Sequence, residues 1–373
     1  MLNRRKSSKL VCLFVILGTA IFLWTCTQPK PRPSPNNTST QTAVPNTTTA
    51  NKGDLMKEPL ITHIYTADPS AHVFEGKVYI YPSHDLDHDN PDTDTGEQYD
   101  MVDYHAFSMK DMTSEVIDHG EILHVDDVPW AEQQMWAPDA AFKNGTYYFY
   151  FPAKDDEGIF RIGVATSQSP AGPFTAQPKP IPGSFSIDPC SFIDDDGQAY
   201  LYFGGLWGGQ LEKWASGSFE EQGVQLAAAD PALGPRVARL TSDMLHFDGA
   251  VEEINITDEN GQPLLAGDTA RRYFEGPWVH KYHGTYYLSY STGDTHFIAY
   301  ATSKSPTGPF VFRGYILTPV IGWTTHHSIV EVEGKWYLFY HDSSLSGGAS
   351  NKRCVKVTEL FYDKDGTIQT IEP

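Results

Sequence analysis

The decapeptide ATSQSPAGPF at Ala165–Phe174 returns almost unchanged as ATSKSPTGPF at Ala301–Phe310. A chain that repeats itself this closely builds the same supersecondary unit at least twice. Upstream of the copies lie NGTYYFYFP and HGTYYLSYS, each a glycine-containing turn followed by an aromatic strand. Looser versions of the same hairpin occur as SAHVFEGKVYIYPS, CSFIDDDGQAYLYFG and HSIVEVEGKWYLFYH, with turns at Gly76, Gly197 and Gly334. The five hairpins begin near Asp68, Asp139, Asp188, Glu275 and His326. No segment reads as a long amphipathic helix, and PALGPRVARL is at most a short, proline-broken one. The pattern predicts an all-β chain, a five-bladed β-propeller with four-stranded antiparallel blades. A β-sandwich or β-helix uses similar strands, but neither explains a polar residue recurring at the same end of each first strand.

Three of those residues are acids: Asp68 before Pro69, Asp188 before Pro189, and Glu275 in FEGPW. In a propeller the first strand of every blade lines the central channel, so equivalent entry positions converge. Grouped carboxylates separate their pKa values, leaving one ionised while another keeps its proton. Hydrolysis of a glycosidic bond with inversion needs that division: a base activates water while an acid about 6.5–9.5 Å away protonates the departing oxygen. Taken singly, an Asp before proline is an ordinary turn opener; it is the recurrence that carries the expectation.

The stretches ADPS around Asp68, MWAPDAAF around Trp136, SIDPCSF around Asp188, FEGPWVHK around Glu275 and THHSIV around His326 follow one another in a familiar order. On them the chain, from about Pro59 to Pro373, resembles glycoside hydrolase family 43, the five-bladed propellers that include β-xylosidases, α-L-arabinofuranosidases and arabinanases. The resemblance implies that Asp68 is the general base, Glu275 the general acid and Asp188 the group that tunes and orients Glu275. It implies an inverting enzyme acting on arabinose- or xylose-containing plant oligo- or polysaccharides; the long loop after the first blade's strands, placed to close one side of a pocket, favours exo over endo action. An exo-galactosidase of the same family, or a carbohydrate-binding propeller without turnover, are the alternatives. Arg353 is expected to reach the sugar, and Trp136, with Phe74, Phe203 and Trp323 behind it, either to stack on sugar or to pack blades. Blade symmetry aims Asp139 at the axis, where it would bind a hydroxyl. No cofactor is required; His326 matches a position that holds a hydrated axial calcium in several family members, or it is a plain channel histidine.

The N-terminus carries a separate expectation. Four basic residues precede an apolar run from Leu10 to about Trp24, and Cys26 follows, so residues 1–26 read as a signal peptide of lipoprotein type, with a plain signal or an uncleaved anchor as alternatives. The Pro-, Thr- and Asn-rich stretch 27–58 reads as a disordered linker and 59–373 as the catalytic propeller. The chain is expected to be exported, at the outer membrane or cell surface or in the periplasm or medium, touching membrane only through a lipid on Cys26. With 47 acidic residues against 27 basic, a net charge of −20, nucleic acid is not an expected partner. Cys190 and Cys354 are read as free, buried thiols, and the Asp- and His-rich stretch His84–Asp100 as a solvated loop at the pocket mouth rather than a metal site.

Overall fold

The computed structural model describes residues 58–373. The expected leader at 1–26, and the linker 27–58 save its last residue, lie outside the described residues. Five sheets follow one another along the chain as the blades of a propeller. The first comprises β1 (Tyr65–Phe74), β2 (Lys77–Asp85), β3 (Asp103–Met109) and β4 (Ile117–His124). The second holds β5 (Asp139–Lys143), β6 (Thr146–Lys154), β7 (Phe160–Ser167) and β8 (Thr175–Ala176). The third holds β9 (Cys190–Ile193), β10 (Ala199–Phe203), β11 (Arg236–Arg239) and β12 (Glu252–Glu253). After β13 (Ile256–Thr257) the fourth blade contains β14 (Glu275–Tyr282), β15 (Thr285–Ser291), β16 (Ile298–Ser303) and β17 (Phe310–Leu317), and the fifth β18 (His327–Val332), β19 (Lys335–Asp342) and β20 (Cys354–Leu360).

The blades are less uniform than four strands each. β13 adds in parallel to the edge of β17, making the fourth sheet five-stranded, and the fifth has three strands. PALGPRVARL is no helix: its second half is β11. Four of the five hairpins turn on two residues with positive φ, at Glu75–Gly76, Asn144–Gly145, His283–Gly284 and Glu333–Gly334. This is the turn whose twist matches the flanking strands, which is why glycine recurs at its second position.

The repeated decapeptide has a mechanical purpose. The Tyr81 hydroxyl, from the second strand of blade one, donates to the carbonyl of Pro170 in the first copy; the Tyr202 hydroxyl, from the second strand of blade three, donates to Pro306 in the second. Both rings are fully buried, and Phe174 and Phe310 at the ends of the copies pack beneath them in the core. Each copy is a corner caught by the preceding blade.

Ring closure joins blade one to blade five. The Leu60 amide donates to the carbonyl of Val355 in β20 and the Thr66 amide to that of Arg353 just before it, and Ile80, Phe107, Val355 and Val357 share one apolar cluster across the seam.

Candidate active site

The three acids of the repeat enter one cavity of about 390 Å³, lined also by Tyr99, Trp136, Ala137, Trp207, Trp323, His326 and Arg353. That volume is near the lower end for small-ligand clefts, suited to a short saccharide rather than a long groove. The delivery is local. Asp68 and Asp188 adopt left-handed backbone, φ 48° and 57°, immediately before a proline. Such a conformation is sparsely populated and tolerated best by Asp and Asn. In β1 the ladder slips between Ala67 and Ser70, so a bulge aims Asp68 inward.

Blade four departs from this rule. There the left-handed residue before proline is Gly276, φ 63°, and the ladder slips between Glu275 and Trp278. Glu275 therefore sits one residue ahead of the position matching Asp68 and Asp188. The offset is used: the Gly276 amide donates to Asp188 Oδ2 at 2.9 Å, tying the backbone beside Glu275 to Asp188.

Charge is unevenly distributed among the three. Burial would push the Asp68 carboxyl up, but the Arg353 guanidinium at 3.1 Å and the Ser83 hydroxyl at 2.7 Å outweigh it and hold Asp68 down at about 2. The Asp68 amide donates to His341 Nδ1 at 2.9 Å, while His341 Nε2 faces the Thr324 carbonyl at 3.0 Å. Burial, then the Arg353 charge, keep His341 neutral, its pKa lowered to about 4. Burial, then the charge on Asp68, lift Glu275 to about 8. Asp188 is raised as well, first by burial and then by Glu275. At neutral pH Asp68 is a fixed anion, and the Glu275–Asp188 pair holds a proton. One base and one acid face the same cavity.

Arg353 is shared across the ring seam. Its Nε and Nη2 donate to the two oxygens of Asp85 at 2.8 and 2.7 Å, and Nη1 reaches Asp68 and Thr324. Its guanidinium lies over the Tyr99 ring. Sequence reasoning missed Asp85, Ser83 and His341. All lie at the ends of second strands, and β-hairpin register places the end of a second strand opposite the start of the first, as Ser83 opposite Ala67. Polar residues closing the aromatic strands, SHD at 83–85 and HD at 341–342, were the signal.

The other expected positions divide. Trp136 lines the cavity, but its indole N–H donates to the Tyr99 carbonyl and its ring meets Gly96 so closely that a Cβ there would come within 2.6 Å; it holds the loop Asp92–Gln98 as a wall. The stretch His84–Asp100, expected to be a solvated loop, is not one throughout: His84 and Asp85 end β2, with Asp85 buried, and Asp92–Gln98 forms the cavity rim. Trp323 lines the cavity and stacks on Trp207, which was not foreseen. Phe74 does not reach the cavity: it lies at the turn end of β1, six residues or about 20 Å along the strand from Asp68, packed on Tyr79, Tyr81 and Tyr147. Phe203 is fully buried between Phe185 and Phe247. Asp139 is also outside. Pro138 takes the place of Pro69 and Pro189, so Ala137 is the counterpart of Asp68, and Asp139 falls deeper, saturated by Ser70, His72, and the amide and hydroxyl of Ser191. Cys190 and Cys354 are free and buried.

His326 is half-buried beside the acids, its Nε2 3.9 Å from Asp188, and neither of its shielded ring nitrogens has a hydrogen-bond partner within the protein. An orphaned imidazole fits a role as one ligand of a cation. Calcium prefers oxygen, so His326 would hold it through a mostly aqueous shell, where it would add positive charge beside Asp188.

The family profile Glycosyl hydrolases family 43 matches residues 56–368. The chain is 59% identical to "Xylosidase/arabinosidase 43A" of Humicola insolens, covering 84% of this chain and 99% of that protein, and 52% identical to a "Xylosidase/arabinosidase" of Bacteroides ovatus, covering 85% and 98%. Among solved structures, a β-xylosidase/α-arabinofuranosidase from a compost microbial metagenome, crystallised with xylotriose in a calcium-free form, superposes with a TM-score of 0.84 at 62% identity, covering 85% of this chain and 97% of that one. A propeller that gathers a stripped carboxylate and a protonated one at its axis, in a sequence this near to those relatives, leaves one conclusion: the chain is a glycosidase and belongs to glycosyl hydrolases family 43.

Proposed function

We propose that the protein is an inverting, exo-acting β-xylosidase/α-L-arabinofuranosidase that trims xylose- and arabinose-containing oligosaccharides. The observation that carries the mechanism is the opposite protonation of Asp68 and Glu275 in one small cavity. Asp68 accepts a proton from water as the water oxygen bonds to the anomeric carbon. Glu275 gives its proton to the glycosidic oxygen as the bond from that oxygen to the anomeric carbon breaks. Turnover leaves Asp68 protonated and Glu275 ionised. Their separated affinities reset both: Asp68 sheds its proton to solvent and Glu275 regains one. Asp188 is a positioning residue, fixing the Gly276 amide and with it the backbone that aims Glu275. The relatives' names and the xylotriose bound in the compost structure support the pentose substrates. The wall formed by Asp92–Gln98 and Trp136 supports exo action, since it closes one side of the cavity. Export, with a signal at 1–26 and a lipid on Cys26, belongs to the same reading and is supported by the basic-then-apolar leader. The test is a panel of nitrophenyl pentosides and hexosides, followed by proton NMR of the first sugar released. β-Xyloside must give α-xylose first; β-xylose as the initial product, or preference for a hexoside, refutes the assignment.

A further inference from the structure

Away from the cavity, on the side of blade one that packs toward β20, two histidines and an aspartate meet. His84 lies on β2, and Asp103 and His105 lie on β3. One potential ligand atom from each falls within 4.8 Å of the others, the one such His/Asp group among the described residues. His84 Nδ1 is 2.5 Å from Asp103 Oδ1, and the two imidazoles meet edge to face at 5.2 Å between ring centres. All three side chains are mostly buried yet retain some exposure, 17%, 12% and 18%, which leaves a path for an ion from solvent.

What lies behind these residues points the same way. His105 Nδ1 faces Asp118 Oδ1 at 3.3 Å on β4; with Nδ1 donating to that carboxylate, Nε2 carries the lone pair. Asp118 is itself held by the Gly120 amide at 2.7 Å and by His63 Nε2 at 2.8 Å. A carboxylate on the far nitrogen of a histidine is the arrangement that orients imidazole ligands toward metals and raises their basicity. Two imidazoles and one carboxylate form a donor set for zinc or a similar divalent transition ion, not for calcium, which takes oxygen. In a tetrahedral zinc site, with ligands at about 2.0–2.1 Å, donor atoms lie within about 3.5 Å of one another. Side-chain rotation of roughly an ångström closes this group to that spacing, with water in the fourth position. The chain's charge of −20 favours any cation.

We propose that His84, Asp103 and His105, with Asp118 orienting His105, form a binding site for a divalent transition-metal ion such as Zn²⁺. The ion serves as a structural clamp at the ring seam. His63 precedes β1 on the segment whose Leu60 amide bonds to Val355 in β20, and it reaches Asp118 across to β4. An ion on β2 and β3 thus stiffens the sheet that this closing segment is stapled to.

The experiment uses the purified, chelator-stripped protein titrated with Co²⁺, whose visible absorption reports a low-symmetry nitrogen and oxygen site. One equivalent per chain is expected to give a saturable band that Zn²⁺ abolishes and excess Ca²⁺ leaves intact. The band persists in His326→Ala, which separates this site from the channel axis, and is lost in His84→Ala and in His105→Ala. Asp118→Asn weakens Co²⁺ binding about 10- to 100-fold. That variant preserves side-chain volume and carries the test if the histidine variants lose the fold, as judged by circular dichroism and xyloside hydrolysis. Zn²⁺ raises the melting temperature of the stripped protein in proportion to the logarithm of its concentration, and does so less in Asp118→Asn. No saturable band, a band untouched by His105→Ala or Asp118→Asn, or one lost in His326→Ala overturns the proposal.

Discussion

Replacing Glu275 by glutamine removes the proton donor while keeping nearly the same shape, and it changes stability as well as rate. In the folded protein the carboxyl is lifted from 4.5 to about 8, chiefly by burial and then by the Asp68 anion. The sign follows from linkage: the folded state binds this proton more tightly than the unfolded chain, so Glu275 costs nothing below about pH 4.5 and costs progressively more as pH rises toward 8. At 1.36 kcal/mol per pH unit the burden at pH 7 is about 3 kcal/mol. Because Glu275 is partly exposed to the open cavity, water relieves some of it, and about 2 kcal/mol is the working figure. Glutamine carries no such burden, and Asp188 loses a repelling neighbour, so the variant is expected to be more stable than the parent at pH 8 and equal to it near pH 4.5. Urea denaturation of both proteins across that range measures the gap. Kinetically, kcat on xylobiose falls about 10²- to 10⁴-fold, whereas an activated nitrophenyl xyloside, whose leaving group needs no proton, loses far less. The alkaline limb of kcat/KM near pH 8 disappears. A stability gap that is flat with pH, or equal losses on both substrates, refutes the assignment of the proton to Glu275.

Asp68→Asn is expected to abolish hydrolysis on both substrate types, because water activation is common to them. Asp68 is held at about 2 rather than 3.8, so it contributes about 2 kcal/mol of stability above pH 4 that is lost as pH falls toward 2; acid titration of the variant, followed by fluorescence, lacks that component. Tyr81→Phe and Tyr202→Phe each strip a hydroxyl from a repeat corner and are expected to cost about 1 kcal/mol apiece, additively, since they serve different blade pairs; urea midpoints of the single and double variants decide. Gly234→Ala puts a methyl 1.9 Å from the Ile254 carbonyl oxygen, and a melting temperature within a degree of the parent would contradict the close approach of the segment before β11 to the segment before β13.

The hairpins were legible because glycine at a two-residue turn and an aromatic strand after it are local signals that tertiary context did not override. Asp68 and Asp188 were legible for a similar reason, each written beside its own proline. The errors share a cause in register. Proline, not the acid, marks the pole: Pro138 precedes Asp139, so that acid lies too deep, and Gly276 rather than Glu275 holds the left-handed position in blade four. Phe74 and Phe203 read as plausible sugar platforms because aromatic character shows in a sequence, while the end and face of a strand depend on bulges and twist. Asp85 and His341 were invisible one strand at a time; they come into view only when the end of each second strand is paired with the start of the first.

Arg353 stands immediately before the last strand, and both of its carboxylate partners stand in the first blade, so the bond that shuts the ring is also the bond that keeps the base stripped of its proton. A brief parting of that junction, too small to register as melting, would already leave Asp68 without its cation. Heat inactivation should therefore run ahead of the loss of secondary structure, making catalytic rate a more sensitive gauge of whether the circle is shut than any spectroscopic probe of the blades.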